Sequence, residues 1–124
     1  MGDQRLRAVE RMRCASAYQR VFEQGEKLVG SLFILYILPT SEPHSRLGIA
    51  VSKRLGNAVV RNRIKRCLRE TFRRHKALLP SSCDVVCVAR HGAVGVPCAL
   101  YSEQFLMLLQ RCQRLKAVGG GNME

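Results

Sequence analysis

Arg46 to Lys76 reads RLGIAVSKRLGNAVVRNRIKRCLRETFRRHK, a short apolar run followed, after a break at Gly56-Asn57, by a segment with the period of a helix. Arg46 to Ser52 reads as a strand. From Asn57 to Lys76, Val60, Ile64, Cys67, Leu68, Thr71 and Phe72 fall on one core-facing stripe, while Asn62, Arg66, Arg69 and Arg73 line the opposite side at i, i+4, i+7 and i+11. The cationic stripe is about 16 Å long, enough to meet several phosphates.

Charge isolates the same stretch. Residues 46–76 hold 11 basic side chains against 1 acidic, while the flanking segments are nearly balanced, so most of the formal +12 of this 124-residue chain sits there. Within the helix Glu70 is the only acid among eight Lys and Arg, and Arg outnumbers Lys six to two. A solvated face mixes signs so that pairs form at i, i+4, whereas like charges at that spacing repel. Retaining them points to a polyanionic partner, and guanidinium, which grips phosphate bidentately, points to structured nucleic acid. A hydrophobic content of 47% excludes a disordered polycation.

Outward from this helix the chain alternates strands and helices. Ala15 to Gln24, ended by Gly25, reads as a helix, and Ser31 to Leu38 as a strand stopped by Pro39, apolar on both faces. With the turn chemistry of Thr40-Ser41-Glu42-Pro43, it is expected to pair with Arg46–Ser52 as an antiparallel hairpin. Pro80-Ser81-Ser82 breaks the chain before a third strand, Asp84 to Ala89. Tyr101, Phe105, Leu108, Leu109, Cys112 and Leu115 trace a last helix starting near Ser102. The order is αββαβα in a single α+β sandwich domain spanning residues 1–124, with a core of about 15–116 and flexible ends at 1–14 and 117–124. Helix 57–76 joins two strands that can lie parallel, a βαβ unit for which a right-handed crossover is the default.

Other classes fall away on physical grounds. The longest apolar stretch, Leu28 to Leu38, is too short to span a bilayer. The N-terminus shows no apolar signal region, so the cytoplasm is the expected compartment. A membrane-surface helix needs its apolar face free, and here that face is needed for the core. A self-sufficient metal nuclease needs converging carboxylates, and the basic region offers only Glu70, so no catalytic and no metal-ligating residue is assigned. His44, His75 and His91 read as surface or packed side chains. The six cysteines lack a C-x-x-C pair and read as buried free thiols, Cys83 and Cys87 as small core residues, with an unrecognised disulfide or metal pair as the alternative. Tyr18, Phe22 and Tyr36 offer rings for unstacked bases, which favours RNA over DNA.

Across Arg46–Arg73 the chain resembles the bacterial ribonuclease P protein component. That family's Arg-Asn-Arg motif stands here as Arg61-Asn62-Arg63, preceded by Gly56-Asn57-Ala58-Val59-Val60 and followed by Ile64-Lys65-Arg66. YQRVFEQGEKLVGSLFILYILP upstream and DVVCVARHGAV downstream are also similar, so the likeness covers about residues 15–115. It implies an accessory subunit of a ribonucleoprotein endonuclease that removes the 5′ leader of precursor tRNA, with hydrolysis done by the RNA subunit and the Mg²⁺ that RNA mainly holds. It further implies one protein per catalytic RNA, no membrane, and RNA-subunit contacts at Arg61, Asn62, Arg63, Lys65, Arg66 and Arg69, to which the helical stripe adds Arg73. A cleft between the sheet and the first helix would take the leader at Tyr18, Phe22, Tyr36, Ser52 and Lys53. Tyr18 stands where the family commonly has Phe. The implied fold is like that of the second domain of ribosomal protein S5, with a left-handed βαβ crossover that overrides the default. The competing reading from another class is a non-catalytic basic module of ribosomal or RNA-chaperone type.

Overall fold

The computed structural model describes residues 11, 12, 14–79 and 81–112. They form α1 (Ala15–Gln24), β1 (Glu26–Val29), β2 (Phe33–Pro39), β3 (Arg46–Ala50), α2 (Ala58–His75), β4 (Cys83–Ala89) and α3 (Cys98–Arg111), with short 3₁₀ turns at Lys53–Leu55, Lys76–Leu78 and His91–Ala93. The α+β class stands, but the element order is αβββαβα. The additional strand, β1, is four residues long and begins with Glu26-Lys27, too short and too charged to show an alternating pattern. Gly30-Ser31 is the turn between β1 and β2, closed by Gly30 N–H donating to Phe33 O at 3.0 Å.

The sheet order is β1-β2-β4-β3, which corrects the expected hairpin: β2 and β3 are not neighbours. β4 lies between them, antiparallel to all seven residues of β2 and parallel to β3. The βαβ unit β3-α2-β4 is therefore present, its two strands adjacent. Register is fixed by side chains as well as backbone. Arg46 faces Asp84 across the parallel pair, donating from Nε at 3.0 Å and from Nη2 at 2.7 Å to the two carboxylate oxygens. Asp84 is almost wholly buried, so a shift in register would strand a carboxylate in the interior. Ser45 Oγ also accepts from Cys83 N–H at 2.9 Å.

The alternation of β2 divides the molecule. Phe33, Leu35 and Ile37, each fully buried, share one face with Val85 and Cys87 and meet Ile64, Cys67, Leu68 and Phe72 of α2 and Tyr101, Phe105 and Leu108 of α3. Among the described residues the only helix on the opposite face is α1, whose Val21 packs with Met12, Leu38 and Val86. One helix cannot cover four strands, so Ile34, Tyr36, Val88 and Ala50 stay half-exposed.

α1 has the bounds expected of it. α3 starts four residues earlier than its apolar face suggested, directly after Pro97, whose extended backbone occupies the N-cap position. The segment before α1 is not loose throughout: Arg11 bridges to Leu47 and Met12 N–H donates to Leu47 O at 3.0 Å, capping the outer edge of β3. The remaining expected flexible residues, 1–10, 13 and 117–124, and Leu115 of the expected last helix lie outside the described residues, as does Pro80.

The cysteines also need one correction. Cys67 and Cys98 form a disulfide between α2 and the first turn of α3. Their 31-residue separation matches no spacing motif; only the packing of the two helices brings them together. Cys83, Cys87 and Cys112 are buried and outside the disulfide, while Cys14 is exposed. Burial pushes the Cys83 thiol up to about 11 and that of Cys87 up to about 12, so neither supplies thiolate near neutral pH. A disulfide reagent in mildly alkaline buffer is thus expected to titrate Cys14 and neither Cys83 nor Cys87 in the native protein, and to reach every cysteine outside the disulfide after unfolding in denaturant. Rapid native reaction of Cys83 or Cys87 would contradict this packing.

Candidate nucleic-acid interface

α2 begins where the sequence provides a cap: Asn57 Oδ1 accepts from Val60 N–H at 3.0 Å. The preceding Gly56 has φ of +150°, a conformation only glycine adopts readily, and a Cβ there would meet Val60 at 2.8 Å. Arg61 reaches back to this junction, its Nε donating to Gly56 O at 3.1 Å. The Lys53–Leu55 turn is thereby held against the start of the basic helix.

The expected RNA-contact residues separate into groups. Asn62 and Arg66 project from the exposed crest of α2. Lys65 and Arg69 lie half-buried on the flank towards β3, where they line a cleft with Arg11 and Tyr18. Burial, and then repulsion from Arg11, lowers the Arg69 pKa. Arg63 is on the other flank, near enough to Tyr101 of α3 for its charge to oppose the burial-driven rise of that phenol. Arg73 and Arg74 both bind Glu70, at 3.0 and 2.8 Å. Arg73, and to a lesser degree Arg74, holds the Glu70 carboxyl below its ordinary pKa. The single acid of the helix thus engages two of its cations and leaves the crest around Arg66 unneutralised.

The expected leader-contact residues border the uncovered sheet face. Phe22 of α1 and Tyr36 of β2 meet edge to face, with ring centroids 4.9 Å apart, and Phe22 is 40% exposed. Tyr18 is placed differently. Its ring lies over Gly48, where a Cβ would come within 2.7 Å, and its Oη accepts from Ile49 N–H at 3.2 Å. It closes the edge of β3 and stands between the aromatic pair and the cationic cleft. Ser52 and Lys53 are exposed at the far end of β3, where Ser52 Oγ accepts from Arg54 N–H at 3.1 Å. By strand geometry they lie roughly 16 Å from Tyr36, with half-buried Val88 and Ala50 between.

Sequence reasoning missed two contributions. Arg11 lies in an unpatterned segment and gave no signal. Arg54, Arg90 and His91 surround Ser52 in a further cleft of about 570 Å³; Arg90 and His91, placed directly after β4, were visible as a basic pair at a strand end but not as neighbours of Ser52. The assembled surface has stacking rings, an apolar floor and a basic border, a combination suited to single-stranded nucleic acid, adjoining a one-signed helix suited to a phosphate backbone.

Comparison with known proteins gives a consistent result. The family model described as Ribonuclease P matches residues 6–113. The ribonuclease P protein component of Syntrophobacter fumaroxidans is 44% identical over 93 residues, covering 74% of this chain and 78% of its own length. That of Staphylococcus carnosus is 42% identical over 85 residues, covering 67% and 72%. The solved RNase P protein of Staphylococcus aureus superposes with a TM-score of 0.74 at 33% identity, over 82% of this chain and 94% of that one. The Thermotoga maritima protein gives 0.74 at 32%, over 84% and 98%.

Proposed function

The chain belongs to the ribonuclease P protein family, and from that membership we propose that it is the accessory protein subunit of a cytoplasmic ribonucleoprotein that removes the 5′ leader of precursor tRNA, one protein per catalytic RNA. α2 holds the catalytic RNA through Asn62, Lys65, Arg66 and Arg69, and the uncovered sheet face takes the leader between Phe22 and Tyr36 at one end and Ser52 and Lys53 at the other. The observation that carries this reading is the adjacency of the two surfaces: the Gly56 junction, tied to Arg61, joins the Lys53–Leu55 turn directly to the basic helix.

Hydrolysis belongs to the RNA partner and the Mg²⁺ it binds. Two of this chain's carboxylates are already committed elsewhere: Asp84 is buried against Arg46, and Glu70 is engaged by Arg73 and Arg74. The protein instead contributes binding energy remote from the scissile phosphate. A base stacked on an exposed ring contributes about 1–3 kcal/mol, and only a precursor, which still carries its leader, gains it. Cations near the junction also reduce the cost of bringing RNA strands together, so less Mg²⁺ is needed for the same occupancy.

Added to catalytic RNA at low Mg²⁺, the protein is expected to restore leader removal, whereas a basic ribosomal or chaperone module would not. With restored activity in hand, trimming the leader to one or two nucleotides is expected to weaken precursor binding towards that of mature tRNA. Unchanged affinity for the trimmed precursor would refute the cleft assignment, and cleavage by the protein without RNA would refute the division of labour.

A further inference from the structure

The buried face of α3 is built of Tyr101, Phe105 and Leu108, yet it also holds Gln104, only 8% exposed. A buried amide costs free energy unless its polar atoms are paired, and here the partners lie in another part of the chain. Gln104 Oε1 accepts from Leu32 N–H at 2.6 Å and from Phe33 N–H at 3.4 Å, and Nε2 lies 3.5 Å from Ser31 Oγ. These groups stand where the β1–β2 turn enters β2. Tyr101, one turn earlier on α3 and fully buried, does the same for a second turn: its Oη donates to Ala93 O at 2.7 Å, in the His91–Ala93 segment after β4. The two turns are also fastened to each other. Arg90 N–H donates to Leu32 O at 2.9 Å and Arg90 Nη1 to Gly30 O at 2.8 Å, and Gly92 lies so close that a Cβ would collide with Ser31 O. Ser31, Arg90, His91 and Gly92 line the same cleft as Ser52 and Arg54. The β1–β2 turn is closed by its own bond from Gly30 N–H to Phe33 O, so the contacts with α3 determine where the turn stands and not whether it forms.

We infer that Gln104, with Tyr101 beside it, is a positioning residue for the precursor leader. Neither side chain reaches the leader surface. Both act from the face of the sheet opposite α1, by holding the two turns that stand across the cleft from Ser52. A turn released from α3 samples several positions, and ordering it on binding then costs free energy that a pre-placed turn does not. That cost falls only on RNA long enough to reach the Ser52 end. The inference rests on the proposed leader-binding function and extends it to a helix that lies outside the RNA surface.

The test uses the full chain assembled with catalytic RNA and measures precursor affinity as the leader is lengthened stepwise from one or two nucleotides, with mature tRNA as the baseline. Wild-type affinity is expected to rise when the leader reaches Phe22 and Tyr36, and again when it reaches Ser52. Gln104→Met removes the accepting oxygen; it is expected to keep the first rise and to bind the longest leaders about threefold to tenfold more weakly than wild type. Gln104→Glu, which keeps an oxygen facing Leu32 and Phe33, is expected to restore the second rise. Melting curves establish that each variant is folded at the assay temperature. Should Gln104→Met fail to fold, Tyr101→Phe takes its place, with the same loss confined to long leaders. An equal deficit at every length, mature tRNA included, would reduce Gln104 to a structural role and overturn the inference. So would folded variants that retain both rises, and a Gln104→Glu variant as weak as Gln104→Met would overturn the part assigned to Oε1. The two readings fail differently: a wild type indifferent to leader length refutes the leader assignment and this inference with it, whereas a wild type that responds to length, alongside variants that respond equally, refutes this inference alone.

Discussion

Alanine at both Arg66 and Arg69 is expected to weaken capture of the catalytic RNA by about 100-fold or more, since each guanidinium–phosphate contact is a charge-assisted hydrogen bond of about 1.5–3 kcal/mol. The log–log dependence of affinity on salt should flatten by about one to two units, because each lost phosphate contact removes about one released counterion. The structure adds a contrast that a bare count of charges does not contain. Arg73 shares the same helical stripe but is already bound to Glu70, whose carboxylate offsets its field. Arg73→Ala should therefore cost much less affinity than Arg66→Ala, and Glu70→Gln, which releases Arg73 and Arg74, should tighten binding slightly. Filter binding over a range of salt concentrations measures all of these. Equal losses at positions 66 and 73 would mean that the pairing with Glu70 does not govern which cations meet RNA, and an unchanged complex with both arginines replaced would remove α2 from the interface.

The fold of α2 was legible because two independent patterns coincide in it: an apolar stripe of period 3.6, all but Val60 fully buried, and a cationic stripe of the same period. The β2–β3 hairpin was misread because neighbouring strands usually pair, and nothing in either strand says otherwise. The preference emerges only in the packed sheet, where β4 matches β2 along seven residues and Asp84 finds Arg46. β1 was hidden by its brevity. The aromatic pair was legible as residue types but not as an edge-to-face contact, and the separate place of Tyr18 depends on Gly48, a residue whose significance in sequence is only the absence of a side chain. Arg11 and Arg63 illustrate a further limit. Charge is visible in a sequence, whereas burial of a charge is a property of the neighbours that the fold brings to it.

Such neighbours also determine the effect of the disulfide. Reduction of Cys67–Cys98 is expected to destabilise the protein by about 3–4 kcal/mol, the chain-entropy cost for a loop of its 31-residue separation. The closed loop contains the end of α2, all of β4 and the entry to α3, so the cross-link restrains the central strand of the sheet and not a peripheral segment. Melting the protein with and without reductant should show a fall of roughly 10 °C or more on reduction. The double variant Cys67→Ala with Cys98→Ala should melt near the reduced wild type and ignore reductant altogether. Cys67 is fully buried and Cys98 only partly so, which directs an attacking thiolate to the Cys98 sulfur. A glutathione-rich cytoplasm favours the dithiol, so the proposed compartment and the bond pull in opposite directions, and thiol trapping in cell extract determines which prevails. A wild type whose melting is indifferent to reductant would show that packing of α2 against α3 holds the loop closed unaided. The covalent link would then add nothing to what Phe72, Tyr101 and Phe105 already do.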